Sequence, residues 1–269
     1  MVDLPPIDYS ALDRPEIAHL IFHPRSETPS LASTLAKEIY IPVGEQTSIG
    51  ARFHIAGKEA PNILFFHGNG EIVSDYDDLG PVYNRIGINF LPVDYRGYGR
   101  SGGEPTVSSM MRDCLTIYDF TRKWLSDNGC TGPFIVMGRS LGSASALELA
   151  SRHEDDIDGL IIESGFALAE PLLRLLGVDL RNLNFVESKS FRNLDKIKQF
   201  RKPVLIIHAE FDHIIPYSDA LQFYSASPSA DKTLLKIPGA NHNDIFYRGL
   251  TEYLSAIKSF TGRLKSYIP

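Results

Sequence analysis

From residue 37 onward, short apolar runs alternate with longer segments whose apolar residues recur at helical spacing. Parallel strands are joined by long crossovers that are usually helices, so this alternation predicts a mainly parallel sheet covered by helices. The predicted strands are 38–43, 51–57, 62–67, 88–94, 134–138, 160–164, 204–209 and 233–238. A short loop separates the first two, which are therefore expected to form an antiparallel hairpin at the edge of an eight-stranded sheet.

Helical segments fill the gaps between the later strands. The pattern predicts helices at 108–129, 143–153 and 251–265, the first of them capped by Ser108 or Ser109.

One connection, 165–202, is much longer than an ordinary crossover. It is interpreted either as a small cap over an active site or as an extended crossover that packs on the sheet. The chain contains no internal repeat and no linker, so residues 1–269 are expected to form a single domain.

The charge and cysteine content narrow the classes of partner and location. The chain has 269 residues and a formal net charge of −6, with its basic residues scattered, so nucleic acid is not an expected partner. The N-terminal residues do not resemble a signal peptide, and no apolar run is long enough for a transmembrane segment. Cys114 and Cys130 form no Cys-x-x-Cys pair, which favours a cytoplasmic location. The sequence does not constrain the oligomeric state.

The pattern Gly-x-Ser-x-Gly occurs twice, at 99–103 and at 138–142. The second copy lies directly between an apolar predicted strand and a predicted helix of small residues. Glycines on both sides of Ser140 allow a tight strand-to-helix turn, and the following helix N-terminus directs free N–H groups towards developing negative charge. Ser140 is therefore the candidate nucleophile.

The first copy has a different context, because Ser101 is followed by Gly-Gly-Glu-Pro and lies in a loop. The same stretch contains Gly-x-Gly-x-x-Gly at Gly97, Gly99 and Gly102. A dinucleotide-binding loop opens directly into a helix, which this loop does not do, so nucleotide binding is disfavoured.

A serine nucleophile needs a base, and the base needs an acid that orients it. His242 lies in a turn-rich loop between the last predicted strand and the last predicted helix, which makes it the candidate base. Asp212 follows the seventh predicted strand and is the favoured acid, and Glu163 at the end of the sixth is the alternative. The cluster around Asp212 that includes His208, Glu210 and His213 lacks a recognised metal-ligand spacing, so a metal site is a minor hypothesis.

Backbone N–H groups are needed to stabilise an oxyanion. The third predicted strand ends in a His-Gly-Asn-Gly turn, where the N–H of Asn69 is the first candidate donor. The N–H of Leu141, directly after the candidate nucleophile, is the second.

Together these motifs resemble the α/β-hydrolase superfamily of serine hydrolases, from about residue 37 to the C-terminus. The resemblance implies an α/β-hydrolase fold with helices on both faces of the sheet and a small cap. It also implies a triad in the family's chain order, Ser140, Asp212 and His242, with Asn69 and Leu141 as the oxyanion hole. Alanine at position 209 departs from the glycine found there in many members.

The branch that is most similar includes esterases, peptidases and protein depalmitoylases with small caps. We therefore expect two-step acyl transfer on a small-molecule or acylated substrate, with an ester or thioester as the first hypothesis and no cofactor. A peptidase or amidase using the same triad is the second hypothesis. A catalytically silent binding module with the hydrolase fold is the third.

Overall fold

The computed structural model describes residues 7–28, 36–183 and 185–264, and it contains the predicted eight-stranded sheet. The strands are β1 (Lys37–Pro42), β2 (Ser48–Phe53), β3 (Asn62–Phe66), β4 (Asn89–Val93), β5 (Phe134–Arg139), β6 (Gly159–Glu163), β7 (Val204–Ala209) and β8 (Lys232–Ile237). Their order across the sheet is β1-β2-β4-β3-β5-β6-β7-β8. The predicted antiparallel hairpin β1–β2 is confirmed, β2 also pairs antiparallel with β4, and the other pairs are parallel.

The second strand differs from its prediction, 51–57, because it starts and ends earlier. After Phe53 the chain leaves the ladder, with one further bridge from His54 to Phe90. The backbone N–H groups of Ala56 and Gly57 then donate to the side-chain oxygen of Asn89, at 2.7 and 3.1 Å. A side chain therefore replaces the neighbouring strand as acceptor, which the residue pattern of 51–57 did not indicate.

The helices follow the predicted alternation. They are α1 (Pro15–Ile21), α2 (Gly80–Arg85), α3 (Val107–Asp127), α4 (Gly142–Arg152), α5 (Ala169–Leu175), α6 (Asn193–Ile197), α7 (Tyr217–Ala226) and α8 (Ile245–Leu264). The predicted cap of α3 is wrong by two or three residues, because Thr106 is the cap and accepts from the N–H of Ser109 at 3.0 Å. Ser109 completes a capping box by accepting from the N–H of Thr106 at 2.8 Å. The last helix begins earlier than predicted, and residue 265 lies outside the described residues.

The sheet separates two hydrophobic clusters. Alternate residues of β3 enter opposite clusters, Leu64 and Phe66 on one side and Ile63 and Phe65 on the other. The larger cluster contains buried residues of α1 and α3 to α7, and the smaller one contains buried residues of α2 and α8. The predicted coverage of both faces by helices is therefore confirmed.

The long connection 165–202 holds α5, a single helical turn at Glu187–Lys189 and α6, and its residue 184 lies outside the described residues. Helix α6 packs against α4 and α7. Helix α5 contributes Leu172 and Leu173 to a pocket that also contains Ser140. One part of the connection therefore packs on neighbouring helices as a crossover does, and another part lines that pocket. Its role as a functional cap stays a prediction, as does the single-domain interpretation of residues 1–269.

Candidate active site

Ser140 lies in the direct turn between β5 and α4, and its backbone is in the left-handed region with φ of 50°. A non-glycine residue rarely adopts this conformation unless its surroundings impose it. A Cβ on Gly138 would collide with the carbonyl oxygen of Gly142, and a Cβ on Gly142 would collide with that of Phe66. Both glycines are therefore required for the close approach of turn, helix and sheet.

The structure brings Ser140, His242 and Asp212 into one hydrogen-bonded chain. The Nε2 atom of His242 lies 3.0 Å from the Oγ of Ser140, and its Nδ1 lies 2.7 Å from Oδ2 of Asp212. The other carboxylate oxygen, Oδ1, accepts the backbone N–H groups of Ile214 and Ile215 at 3.0 and 2.8 Å. With Nδ1 protonated towards the carboxylate, Nε2 is left as the acceptor for the serine hydroxyl.

The electrostatics of Asp212 favour its ionised form. Burial raises the pKa of this carboxyl, but the hydrogen bonds from His242 and from the N–H of Ile215 outweigh the effect of burial, so the net pKa is below the ordinary value. Burial lowers the pKa of His208, whose Nε2 donates to the carbonyl of Ile215 at 2.8 Å. Through this hydrogen bond, a neutral His208 side chain stabilises the loop that carries Asp212.

The minor metal hypothesis finds no support in the described residues, where no group of histidine, cysteine and acidic side chains has a metal-binding arrangement. Glu210 instead pairs with Lys236 at 2.7 Å and accepts the N–H of Gly239 at 2.9 Å. These contacts fix the loop before His242.

Ser101 is not part of this constellation. Its Oγ accepts the backbone N–H of Gly50 at 2.9 Å and so ties its loop to β2. Gly97 and Gly99 have positive φ angles of 73° and 56°, and a Cβ on Gly99 would collide with the carboxylate of Asp94. This loop is a compact turn next to the sheet and does not open directly into a helix.

The two candidate oxyanion donors, Asn69 and Leu141, border the same pocket as Ser140. Within the described residues the N–H of Leu141 has no hydrogen-bond acceptor. The side-chain oxygen of Asn69 accepts the N–H of His23 at 2.9 Å and the hydroxyl of Tyr98 at 2.6 Å. The Asn69 side chain is therefore held by the N-terminal segment and by the loop that contains Ser101.

The pocket has a volume of about 260 Å³, and Ser140 and His242 are among its polar lining residues. Most of its wall is apolar and is formed by Ile21, Leu141, Phe166, Ala169, Leu172, Leu173, Leu176, Phe191 and Ile214. Such a combination of an apolar wall and a few convergent polar groups is typical of small-molecule sites.

Glu163, the alternative acid, makes no hydrogen bond with His242. Its Oε2 accepts the hydroxyl of Tyr253 at 2.7 Å, and its Oε1 lies 3.2 Å from Nε of Arg139. Burial raises the pKa of Glu163, and the adjacent guanidinium of Arg139 opposes this, leaving the pKa above its ordinary value. The carboxylate is a partner of Arg139, which the sequence analysis did not single out. Its signal is present in the sequence, because a charged side chain at the end of a buried strand and next to the candidate nucleophile requires a partner.

A family model that matches most of the chain identifies its family. The family model described as serine aminopeptidase, S33, matches residues 57–194 and 189–246. The α/β hydrolase domain-containing protein 17C of Xenopus tropicalis is 34% identical over 203 residues, which cover 74% of this chain and 60% of that protein. The human protein 17B is 31% identical over 212 residues, covering 75% and 66%. This chain thus spans only about 60% of the length of the first of these curated relatives.

Solved structures give the same fold. Est1E from Butyrivibrio proteoclasticus, with ferulic acid bound, has a TM-score of 0.73 at 23% identity and covers 85% of this chain and 99% of its own. The Pyrococcus furiosus esterase Pf2001 has a TM-score of 0.73 at 19% identity, with coverage of 90% and 99%. Among the described residues, no helix has the length and apolar character to cross a membrane. With strand order, topology and family model in agreement, the chain belongs to the serine aminopeptidase S33 family of the α/β-hydrolase superfamily.

Proposed function

We propose that this protein is a serine hydrolase that cleaves carboxylic esters or thioesters with an apolar acyl group. The observation that carries the proposal is the hydrogen-bonded chain from Ser140 through His242 to Asp212 at an apolar pocket. In this proposal Ser140 is the nucleophile, His242 the general base and Asp212 the group that holds the imidazole in the required tautomer.

Acylation starts when Nε2 of His242 takes the proton of the Ser140 hydroxyl and Oγ attacks the acyl carbon. The carbonyl oxygen becomes an oxyanion, for which the N–H groups of Leu141 and Asn69 are the proposed donors. A single donor of this kind contributes roughly 3 to 4 kcal/mol to the transition state. His242 then gives its proton to the departing alcohol or thiol.

Deacylation repeats the same steps with water. His242 takes a proton from the water, the resulting hydroxide attacks the acyl carbon, and the Ser140 oxygen leaves with the proton returned by the imidazole. The cycle consumes one water, releases one acid and one alcohol or thiol, and requires no cofactor.

The pocket wall supports an apolar acyl group. Each buried methylene group contributes about 0.8 kcal/mol, or roughly fourfold in kcat/KM, until the chain reaches the end of the pocket. Helix α5 supplies Leu172 and Leu173 to this wall, and Leu176 follows directly after the helix. These three leucines are therefore expected to set the acyl length that is accepted.

The name of the matching family raises aminopeptidase activity as the second candidate. Recognition of a substrate α-ammonium group calls for a free carboxylate in the pocket. Glu71 is the one acidic side chain among the described pocket residues, and its carboxylate already binds Arg139, the N–H of Gly68 and the hydroxyl of Tyr76. This engagement favours an uncharged acyl group over an aminoacyl group.

The first test is labelling with a fluorophosphonate probe in the wild type, Ser140→Ala and Ser101→Ala. Labelling is expected in the wild type and in the Ser101 variant and to be absent from the Ser140 variant. p-Nitrophenyl esters and thioesters of increasing acyl length, together with an aminoacyl anilide, then rank the substrates. Labelling that persists without Ser140 would refute the nucleophile, and a wild type without labelling or turnover would favour the binding module.

A further inference from the structure

Arg139 directly precedes Ser140, and its guanidinium contacts three separate segments around the candidate active site. Nη2 donates to the backbone carbonyl of His242 at 2.8 Å. Nη1 lies 3.0 Å from Oε1 of Glu71, and Nε lies 3.2 Å from Oε1 of Glu163 at the end of β6. One planar group thus connects the loop of the base, the loop after β3 and the neighbouring strand.

The contact with Glu71 continues to the candidate oxyanion turn. The second oxygen of Glu71, Oε2, accepts the backbone N–H of Gly68 at 2.6 Å, directly before Asn69. The same oxygen accepts the hydroxyl of Tyr76 at 2.6 Å. The orientation of the His67–Gly68 peptide, one peptide before the one that carries the N–H of Asn69, therefore depends on a carboxylate that Arg139 holds.

The guanidinium is buried, with only 6% of the residue exposed. Burial alone would lower the pKa of Arg139, but the carboxylates of Glu71 and Glu163 raise it, so the group stays charged. Buried ion pairs of this kind depend strongly on geometry, because a displaced partner leaves an uncompensated charge. Two carboxylates and a carbonyl in fixed directions hold the side chain in one conformation.

A lysine could not replace these contacts. The three nitrogens of arginine lie in one plane with fixed directions, whereas lysine offers a single ammonium group at the end of a flexible chain. The Arg139→Lys substitution would preserve the charge, but the ammonium could not bond the His242 carbonyl, Glu71 and Glu163 with the same geometry. The substitution therefore separates the effect of the hydrogen-bond geometry of Arg139 from the effect of its positive charge.

We propose that Arg139 is a positioning residue that sets the base loop and the oxyanion turn relative to Ser140, through the carbonyl of His242 and the carboxylate of Glu71. This inference rests on the proposed serine hydrolase function for its kinetic consequence. Its structural consequence, the positions of the base loop and the oxyanion turn, does not depend on that function. Misplacement of a reacting group by about 1 Å can cost about 100-fold in rate.

The test compares Arg139→Lys with the matched control Arg52→Lys. Arg52 is equally buried, at 5%, and pairs with Glu27 and Asp77, but it does not line the pocket. Titration with a fluorophosphonate gives the concentration of active sites, so kcat is expressed per active site. We expect Arg139→Lys to lose about 10- to 100-fold in kcat with KM within about twofold of the wild type. We expect Arg52→Lys to keep kcat per active site.

Hydrogen exchange provides a measurement that needs no substrate. Peptides covering residues 67–71 and 238–244 are expected to exchange faster in Arg139→Lys than in the wild type and the control. Glu71→Gln, which leaves Arg139 in place, is expected to accelerate exchange in 67–71 only and so tests the connection if the lysine variant folds poorly. Unchanged exchange in both loops together with a kcat within about threefold of the wild type would overturn the proposal. If the wild type hydrolyses no ester, the proposed function fails, and the exchange comparison still decides the role of Arg139.

Discussion

Replacement of Asp212 by asparagine provides a sharp test of the proposed triad. The carboxylate uses Oδ2 for His242 and Oδ1 for the N–H groups of Ile214 and Ile215. An amide has only one oxygen, so the asparagine in Asp212→Asn can satisfy either the two backbone donors or the imidazole donor. The structure therefore sets up a competition between two orientations of the same side chain.

The two orientations differ in cost. With its NH₂ group towards Ile214 and Ile215, the asparagine would leave the half-buried N–H of Ile214 and the buried N–H of Ile215 unpaired, and the buried donor alone costs about 1 to 3 kcal/mol. With its NH₂ group towards His242, the imidazole changes tautomer, accepts at Nδ1 and donates from Nε2 to Ser140. The second orientation keeps every hydrogen bond and is expected to dominate. It leaves His242 unable to accept the serine proton.

The expected result is a loss of about 10⁴-fold in kcat, which corresponds to about 5.5 kcal/mol and matches the effect of the same change in a serine protease with this triad. KM should change little, because Asp212 does not line the pocket. The assay is p-nitrophenyl ester hydrolysis per folded molecule at neutral pH. Asp244→Asn is the matched control, since Asp244 lies on the histidine loop and bonds Asn241 and Arg248. A loss below about tenfold in Asp212→Asn would refute the reasoning.

Three further predictions address the pocket, the second serine and the response to acid. Leu172→Trp should shorten the preferred acyl chain in an ester series by narrowing the pocket, whereas Leu175→Trp, at a side chain that is 57% exposed, should not. Ser101→Ala should leave kcat unchanged and lower Tm by a few degrees in a thermal melt, because the N–H of Gly50 loses its acceptor at a cost of about 1 kcal/mol. The pKa of Asp212 is lower in the folded state, so its contribution to stability is present above its ordinary value of 3.8 and is lost as the pH falls through the folded pKa. Urea unfolding between about pH 6 and pH 2 should therefore show a weaker acid dependence in Asp212→Asn than in the wild type, and equal slopes would contradict the assignment.

The sheet could be predicted because its signal is local and repeated. Strands β3 to β7 are buried at every position, so each reads as an apolar run whose limits lie within a residue or two of the prediction. The error at β2 arises where the side chain of Asn89 takes over hydrogen bonds from a strand. Such a replacement depends on residues far apart in the chain and leaves no periodic pattern.

The candidate site could be predicted to a similar extent. Ser140, Asp212 and His242 lie in loops or turns after predicted strands, and the family resemblance implied that they form one triad. The structure places their side chains in hydrogen-bond contact, and their catalytic roles stay a prediction. Arg139 could not be assigned a role in this way, because its three partners lie on three other segments of the chain. Glu163 was the alternative acid for the same reason, because its position at a strand end does not reveal that its side chain pairs with Arg139 and Tyr253.

The N-terminal segment carries no recognised motif, but it contacts the candidate active site. His23 holds the side chain of Asn69, and Ile21 contributes to the pocket wall, yet both lie before residue 57, where the family match begins. A protein trimmed to the matched region would retain every proposed triad member while losing Ile21 from its pocket wall and the contact from His23 to the candidate oxyanion turn. The region matched by the family model is therefore shorter than the region that forms the candidate active site. A shortened protein for functional study should start before α1.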